Sequence, residues 1–180
     1  MKSLIIYGSQ YGTTKSYADK FSEITKIPVI NYQDVNNISD FDLIIYFGGL
    51  YAGGVKGLKR TIKLLKDDAK LIIVTVGLAD VNNKENIDNI KKSINKQVPK
   101  KVLDNATIIN LRGGIDYSKL NFKHKTMMYL LYNKIKNIPE EEKTAEIKAM
   151  IETFNKKVNF VDYNSLFQII ETMERYKWKI

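Results

Sequence analysis

Five short runs rich in Ile, Val, Leu and Tyr, at residues 3–7, 28–31, 43–47, 71–76 and 106–111, most constrain what this chain can fold into. Four of them are almost wholly apolar, the pattern of strands covered on both faces in a parallel sheet. Between them lie amphipathic stretches. Residues 14–24 place Tyr17, Ala18, Phe21 and Ile24 on one helical face, residues 57–65 do the same with Leu58, Ile62 and Leu65, and Ile87, Ile90 and Ile94 mark a third helix. A parallel strand returns only through a crossover, so the alternation predicts a doubly wound α/β fold. No repeat or linker interrupts it, and the 180 residues are read as one domain.

Composition removes several chemistries. The chain has no cysteine and a single histidine, His124, which excludes disulfides, thiolate metal sites, cysteine nucleophiles and multi-histidine metal centres. Residues 43–55, the longest nearly uncharged apolar stretch, contain four glycines and fall short of the ~20 residues that span a bilayer. The amino terminus turns polar after five residues, unlike a secretory signal, so a cytoplasmic location is expected. The formal charge of +9 invites anionic partners. Only Arg60, Arg112 and Arg175 are arginines, however, and lysine lacks the planar fork that reads base edges, so specific nucleic-acid recognition is not expected.

The carboxy-terminal third has a different texture. Residues 117–139 contain no acidic side chain, while Lys119, Lys123, Lys125, Lys134, Lys136 and His124 are interleaved with apolar and aromatic residues. Leu120, Met127, Leu131 and Ile135 can share one helical stripe. This basic amphipathic insertion, at about 117–138, is either an interfacial docking surface or a helix packed on the sheet with solvated lysines. His124 is expected on the surface. Pro139 followed by Glu140, Glu141 and Glu142 predicts a helix over 139–157. A last helix, capped by Asn164 or Ser165, would carry Leu166, Ile169, Ile170, Met173 and Trp178.

In an open α/β sheet, ligands bind beyond the carboxyl ends of the strands. The first such turn reads Tyr7-Gly8-Ser9-Gln10-Tyr11-Gly12-Thr13-Thr14-Lys15-Ser16. Hydroxyls, glycines and a helix amino terminus there suit a phosphate, though Ser and Thr are also ordinary helix starts. A P-loop would place lysine directly after the second glycine, and G-x-G-x-x-G is missing. The turn after the third strand, Gly48-Gly49-Leu50-Tyr51-Ala52-Gly53-Gly54-Val55-Lys56-Gly57, has five glycines and one aromatic, a composition suited to a planar ligand. After the fourth strand comes Gly77-Leu78-Ala79-Asp80, with no aromatic.

Ser9-Gln10-Tyr11-Gly12-Thr13-Thr14 after a hydrophobic strand resembles the S/T-x-x-G-x-T phosphate loop of flavodoxins. The resemblance implies a five-stranded sheet in the order 2-1-3-4-5 and flavin mononucleotide (FMN) as cofactor. Its phosphate would lie on Ser9, Gln10, Tyr11, Gly12, Thr13 and Thr14. Its ring would lie between Gly49, Leu50, Tyr51, Ala52, Gly53 and Gly54 on one side and Gly77, Leu78, Ala79 and Asp80 on the other. The flavin would carry the chemistry, with no catalytic protein residue and no metal. The layout from Arg112 and Gly113 through the basic insertion is similar to the menaquinone-dependent protoporphyrinogen dehydrogenases. That likeness implies an oxidoreductase with a porphyrinogen, a quinone or a redox protein as partner. Arg112, Gly113, Lys119, Lys123 and Lys125 would attract carboxylates or dock at the inner face of the membrane through residues 117–138. A flavodoxin-type electron carrier is the alternative.

Overall fold

The computed structural model describes residues 1–51 and 53–177. Ala52 and Trp178 therefore lie outside the described residues. Strands β1 (Ser3–Gly8), β2 (Val29–Asn31), β3 (Leu43–Tyr51), β5 (Lys70–Gly77) and β6 (Ala106–Arg112) form a parallel sheet in the order β2-β1-β3-β5-β6, as expected from the sequence. A short β4 (Gly54–Val55) folds back antiparallel on the end of β3. The turn expected after residue 47 therefore begins later, because residues 48–51 prolong the strand.

Successive side chains of a strand point to opposite faces, so the apolar runs feed two layers. Ile5, Ile45, Phe47, Ile72 and Val74 pack on α1 (Thr13–Thr25) and α7 (Phe167–Lys177) through Tyr17, Phe21, Ile169 and Met173. Leu4, Ile6, Ile44, Tyr46 and Ile73 pack on α2 (Leu58–Ile62) and α3 (Lys84–Asn95) through Leu58, Ile62, Ile90 and Ile94. Each such side chain contributes about 1.5–3 kcal/mol by leaving water. Ile24, expected on the inner face of α1, is 43% exposed, because it lies in the helix's last turn, one residue before the end at Thr25, where Lys26 with a φ of 60° stops it.

After α4 (Lys100–Leu103) and β6, the chain leaves the sheet to build an appendage. It holds β7 (Gly114–Asp116), a 3₁₀ turn (Tyr117–Lys119), α5 (Phe122–Ile135), a 3₁₀ turn (Glu140–Glu142), α6 (Ala145–Glu152) and β8 (Lys157–Asn159), which pairs antiparallel with β7. The helix expected over 139–157 is thus divided. Lys143 is extended, Thr144 caps a new helix by accepting from the Ile147 N–H, and Asn155 turns left-handed (φ 57°) to lead into β8. The last helix also starts earlier than expected: Asp162, not Asn164 or Ser165, caps a 3₁₀ turn (Tyr163–Leu166) that runs into α7. Among the described residues no helix is long and apolar enough to cross a membrane.

Candidate functional site

The parallel strands share one carboxyl edge, where Gly8 lies beside Gly48, Gly49 beside Val76, and Gly77 beside Arg112. The turns leaving that edge gather residues 9–14, 49–51, 53–54, 77–80 and 112–113 into one row.

The first turn ends in a helix start that lacks a side-chain cap; the glycine start of α2, at Gly57 (φ 78°), lacks one too, but a Cβ there would run into Tyr32 and Tyr46. Asn83, Asn121 and Thr144 each cap α3, α5 and α6 by accepting a backbone N–H from the first turn. At α1 the capping residue is Gly12, with φ 94°, no side-chain cap and no acidic residue in the first turn. The first N–H groups of a helix have no partner within it, and the dipole there favours an anion. A Cβ on Gly12 would meet nothing within 4 Å, so the space above this helix end is open. Ser9 Oγ accepts the Gly12 N–H at 3.1 Å. Thr13 Oγ1 donates to Gly114 O at 2.9 Å, which leaves its backbone N–H as its free donor group. Thr14 is buried against the second turn, where a Cβ on Gly49 would come within 2.9 Å of its Oγ1.

The second turn is a clamped hairpin. Gln97 accepts the Val55 N–H at 2.7 Å and donates to Val55 O at 3.2 Å, and Ser93 Oγ donates to Gly53 O at 2.5 Å. The Lys56 ammonium, 5.4 Å from the Tyr51 ring centroid, donates to Gln10 Oε1. Burial holds the Lys56 pKa below its ordinary value.

The inner face of α5 lies across both turns. Lysine only donates, so Gln10 turns its oxygen to Lys56 and its amide Nε2 to His124 Nε2, 2.9 Å away, which accepts. Tyr11 OH donates to Met128 Sδ at 3.1 Å and Tyr51 OH to Met127 Sδ at 2.8 Å. His124, expected on the surface, is half-buried and meets the Tyr11 ring edge-on at 5.5 Å. Burial pushes Tyr11 up to about 12, with Tyr51 and Tyr117 adding to it. Ile115, Tyr117, Leu120 and Met128 form the appendage's own core, against which Tyr11 and Leu78 pack. Of the expected stripe, Leu120 and Ile135 are buried and Met127 and Leu131 partly covered, with Met128 buried beside them. The outer face of α5 carries Phe122 (85% exposed), Tyr129, Leu130 and the exposed Lys123 and Lys125, with exposed Lys119 just before the helix.

In the third turn, Glu146 of α6 accepts the N–H groups of Leu78 and Ala79, while Arg112 Nε donates to Leu78 O at 3.0 Å. The Arg112 guanidinium lies 3.7 Å from the Phe160 ring centroid, and the Gly113 N–H donates to Gly77 O at 2.7 Å. Asp80 shapes the turn, accepting Asn82 N–H at its carboxylate and Asn86 Nδ2 at its carbonyl. The structure thus brings residues 9–14, the hairpin and the Gly77–Ala79 backbone together, and leaves Lys119, Lys123 and Lys125 facing away. Lys56, Met127, Met128 and Glu146 were not among the site residues expected from the sequence. Of these, Lys56 alone carried a local signal, closing the glycine-rich turn.

A family model described as a flavodoxin domain matches residues 4–143. Similar solved structures include a flavoprotein in complex with FMN from Lactobacillus acidophilus NCFM (15% identity over 62% of this chain and 91% of that one, TM-score 0.41). A flavodoxin mutant from Pseudomonas aeruginosa has 15% identity over 74% and 96% of the two chains, TM-score 0.40. An azoreductase from Bacillus anthracis str. Sterne has 9% identity over 86% and 99%, TM-score 0.45. No curated protein matches the sequence.

Proposed function

The chain belongs to the flavodoxin domain family, and from that premise we propose that it is an FMN-dependent oxidoreductase. The observation that carries the reading is the open space at Gly12 above the uncapped start of α1, where α3, α5 and α6 are capped by side chains and the uncapped glycine start of α2 is crowded by Tyr32 and Tyr46. That donor set fits a phosphate ester: neutral N–H groups of the first helical turn, with the Ser9 hydroxyl beside them. Bound FMN supplies one- or two-electron transfer through its ring.

The chain's own residues bind, orient and cover. Residues 9–14 hold the phosphate end. Tyr51 offers an aromatic face for the ring, and Lys56 places a partly desolvated cation beside it. No aromatic stands in the third turn, and the α5 methionines with Leu78 provide cover there instead. With α5 across these turns, a partner reaches the ring along the appendage. Its exposed outer face, Phe122, Tyr129 and Leu130 among lysines, suits an amphiphilic, anionic partner at a membrane surface. The finer reading is a porphyrinogen dehydrogenase: electrons and protons leave the porphyrinogen, and a quinone is reduced.

Titration of FMN with the purified protein tests the first step. Quenching of flavin fluorescence at one FMN per chain is expected, with riboflavin, which lacks the phosphate, binding at least ~100-fold more weakly because the helix-end anion site is left empty. Unquenched FMN ends the redox reading. Turnover of protoporphyrinogen with a quinone, lost when Lys119, Lys123 and Lys125 become Gln, supports the dehydrogenase. Tight FMN binding without that turnover favours the electron carrier.

A further inference from the structure

Glu146 stands in the first turn of α6, inside the appendage, yet its carboxylate is spent on the turn after β5. Its Oε1 accepts from Leu78 N at 3.3 Å and its Oε2 from Ala79 N at 3.1 Å. From the opposite side of the charge balance, Arg112 Nε donates to Leu78 O at 3.0 Å. One residue's N–H and C=O are therefore both held by charged side chains, of opposite sign, from two separate elements. The fit is close, since a Cβ on Gly77 would come within 2.6 Å of Leu50 Cδ1 and 3.2 Å of Glu146 Oε2. A carboxylate so enclosed costs free energy unless each oxygen finds a donor. Burial raises its pKa, while the two backbone N–H groups and Arg112 act in the other direction.

We infer that Glu146 is a positioning residue for the ring end of the cofactor site: from the appendage it fixes the backbone of residues 77–79 and keeps a negative charge beside the bound ring. The inference rests on the FMN reading. By occupying the N–H groups of Leu78 and Ala79, the carboxylate withdraws two donors that the ring's carbonyls could otherwise use. Its charge opposes added negative charge on a reduced ring, and Arg112 offsets part of that effect. Glu146→Gln keeps an acceptor but leaves Arg112 uncompensated, so both consequences favour the reduced cofactor.

Two measurements on the full chain decide it. In FMN-free protein, amide exchange at Leu78 and Ala79 accelerates at least tenfold in Glu146→Ala and less in Glu146→Gln, with β3 amides unchanged. Equal rates in wild type and Glu146→Ala overturn the clamp. In FMN-loaded protein, Glu146→Gln binds oxidised FMN within about threefold of wild type but shifts the preference toward reduced FMN about tenfold, a change of ~30 mV for a two-electron couple. A clamp of purely structural value would leave that potential where it was, and an unchanged potential removes the electrostatic half of the inference. Should wild type fail to bind FMN, the functional reading and the ring's part of this inference fall together, whereas the exchange rates still judge the clamp.

Discussion

The parallel sheet and the appendage hold their shapes by different means. In β1, β3 and β5, Ile5, Ile6, the side chains of residues 43–47, Ile72, Ile73 and Val74 have no exposure at all and are shared between two packed layers. Among the described residues the appendage's core has four buried side chains, Ile115, Tyr117, Leu120 and Met128, with Leu131, Met150, Phe154 and Val158 partly buried around them, and it fastens to the sheet's turns through side-chain contacts: Gln10 with His124, Tyr11 with Met128, Tyr51 with Met127, and Glu146 with the third turn. The sheet is thus stabilised by apolar burial, and the appendage by contacts concentrated on the turns where a ligand would lie. A region with few buried apolar side chains opens first. The part of the molecule nearest the candidate site is therefore the part expected to move.

The sharpest way to break that contrast is to cut both cores. Phe47→Ala removes a fully buried ring from the sheet and is expected to lower global stability by about 3–5 kcal/mol in urea unfolding. Met128→Ala is expected to lower it by under about 1 kcal/mol, with the loss appearing as faster amide exchange confined to α5 and α6. Equal global losses would mean that sheet and appendage unfold as one unit.

The same contrast explains what was legible in the sequence. Strand positions and most inward residues of α1, α2 and α3 could be read because apolar periodicity is local and the sheet's needs dominate it, whereas the sheet order came from the resemblance of the first turn. The turn from β1 into α1 could be read because a strand-to-helix turn built from small and hydroxyl residues is itself a local pattern. The appendage could not. Whether residues 139–157 form one helix or two depends on Thr144 competing as a cap and on β8 finding β7, partners separated by more than forty residues. His124 and Glu146 reach the site through contacts with Gln10 and with residues 78–79, which no spacing along the chain encodes.

A smaller effect sharpens the site itself. Gly12 sits at φ 94° with open space around its missing Cβ, so Gly12→Ala strains the backbone by about 1–3 kcal/mol without a steric clash. Gly12→Asp adds a like charge where the phosphate is expected and should weaken FMN binding more than 100-fold. The alanine variant should weaken it far less, on the order of tenfold if the strain costs about 1.4 kcal/mol in the bound state. Fluorescence titration of the two variants against riboflavin and FMN checks this. If the aspartate variant binds both flavins as wild type does, the phosphate lies elsewhere.

The smallest expected effect is a slope against pH. The pKa of Glu146 is raised in the folded protein, chiefly by burial. Between the ordinary glutamate value and that raised value, the native state holds more protons than the unfolded chain, so stability falls as pH rises through this window. The exposed acids contribute the opposite sign. Hydrogen bonds from Lys66, Ser118 and Lys143 hold Asp42, Asp116 and Glu140 below their usual values, and the stability they contribute is lost as pH falls through those lowered values. The acid limb of the curve thus belongs to surface groups, and the decline above the ordinary glutamate range to Glu146. Urea unfolding across mildly acidic to neutral pH should show Glu146→Gln lacking that decline while keeping the acid limb, because the amide does not titrate and the three surface acids are untouched. Parallel curves for the two proteins would place the proton elsewhere and leave the third turn held by geometry alone.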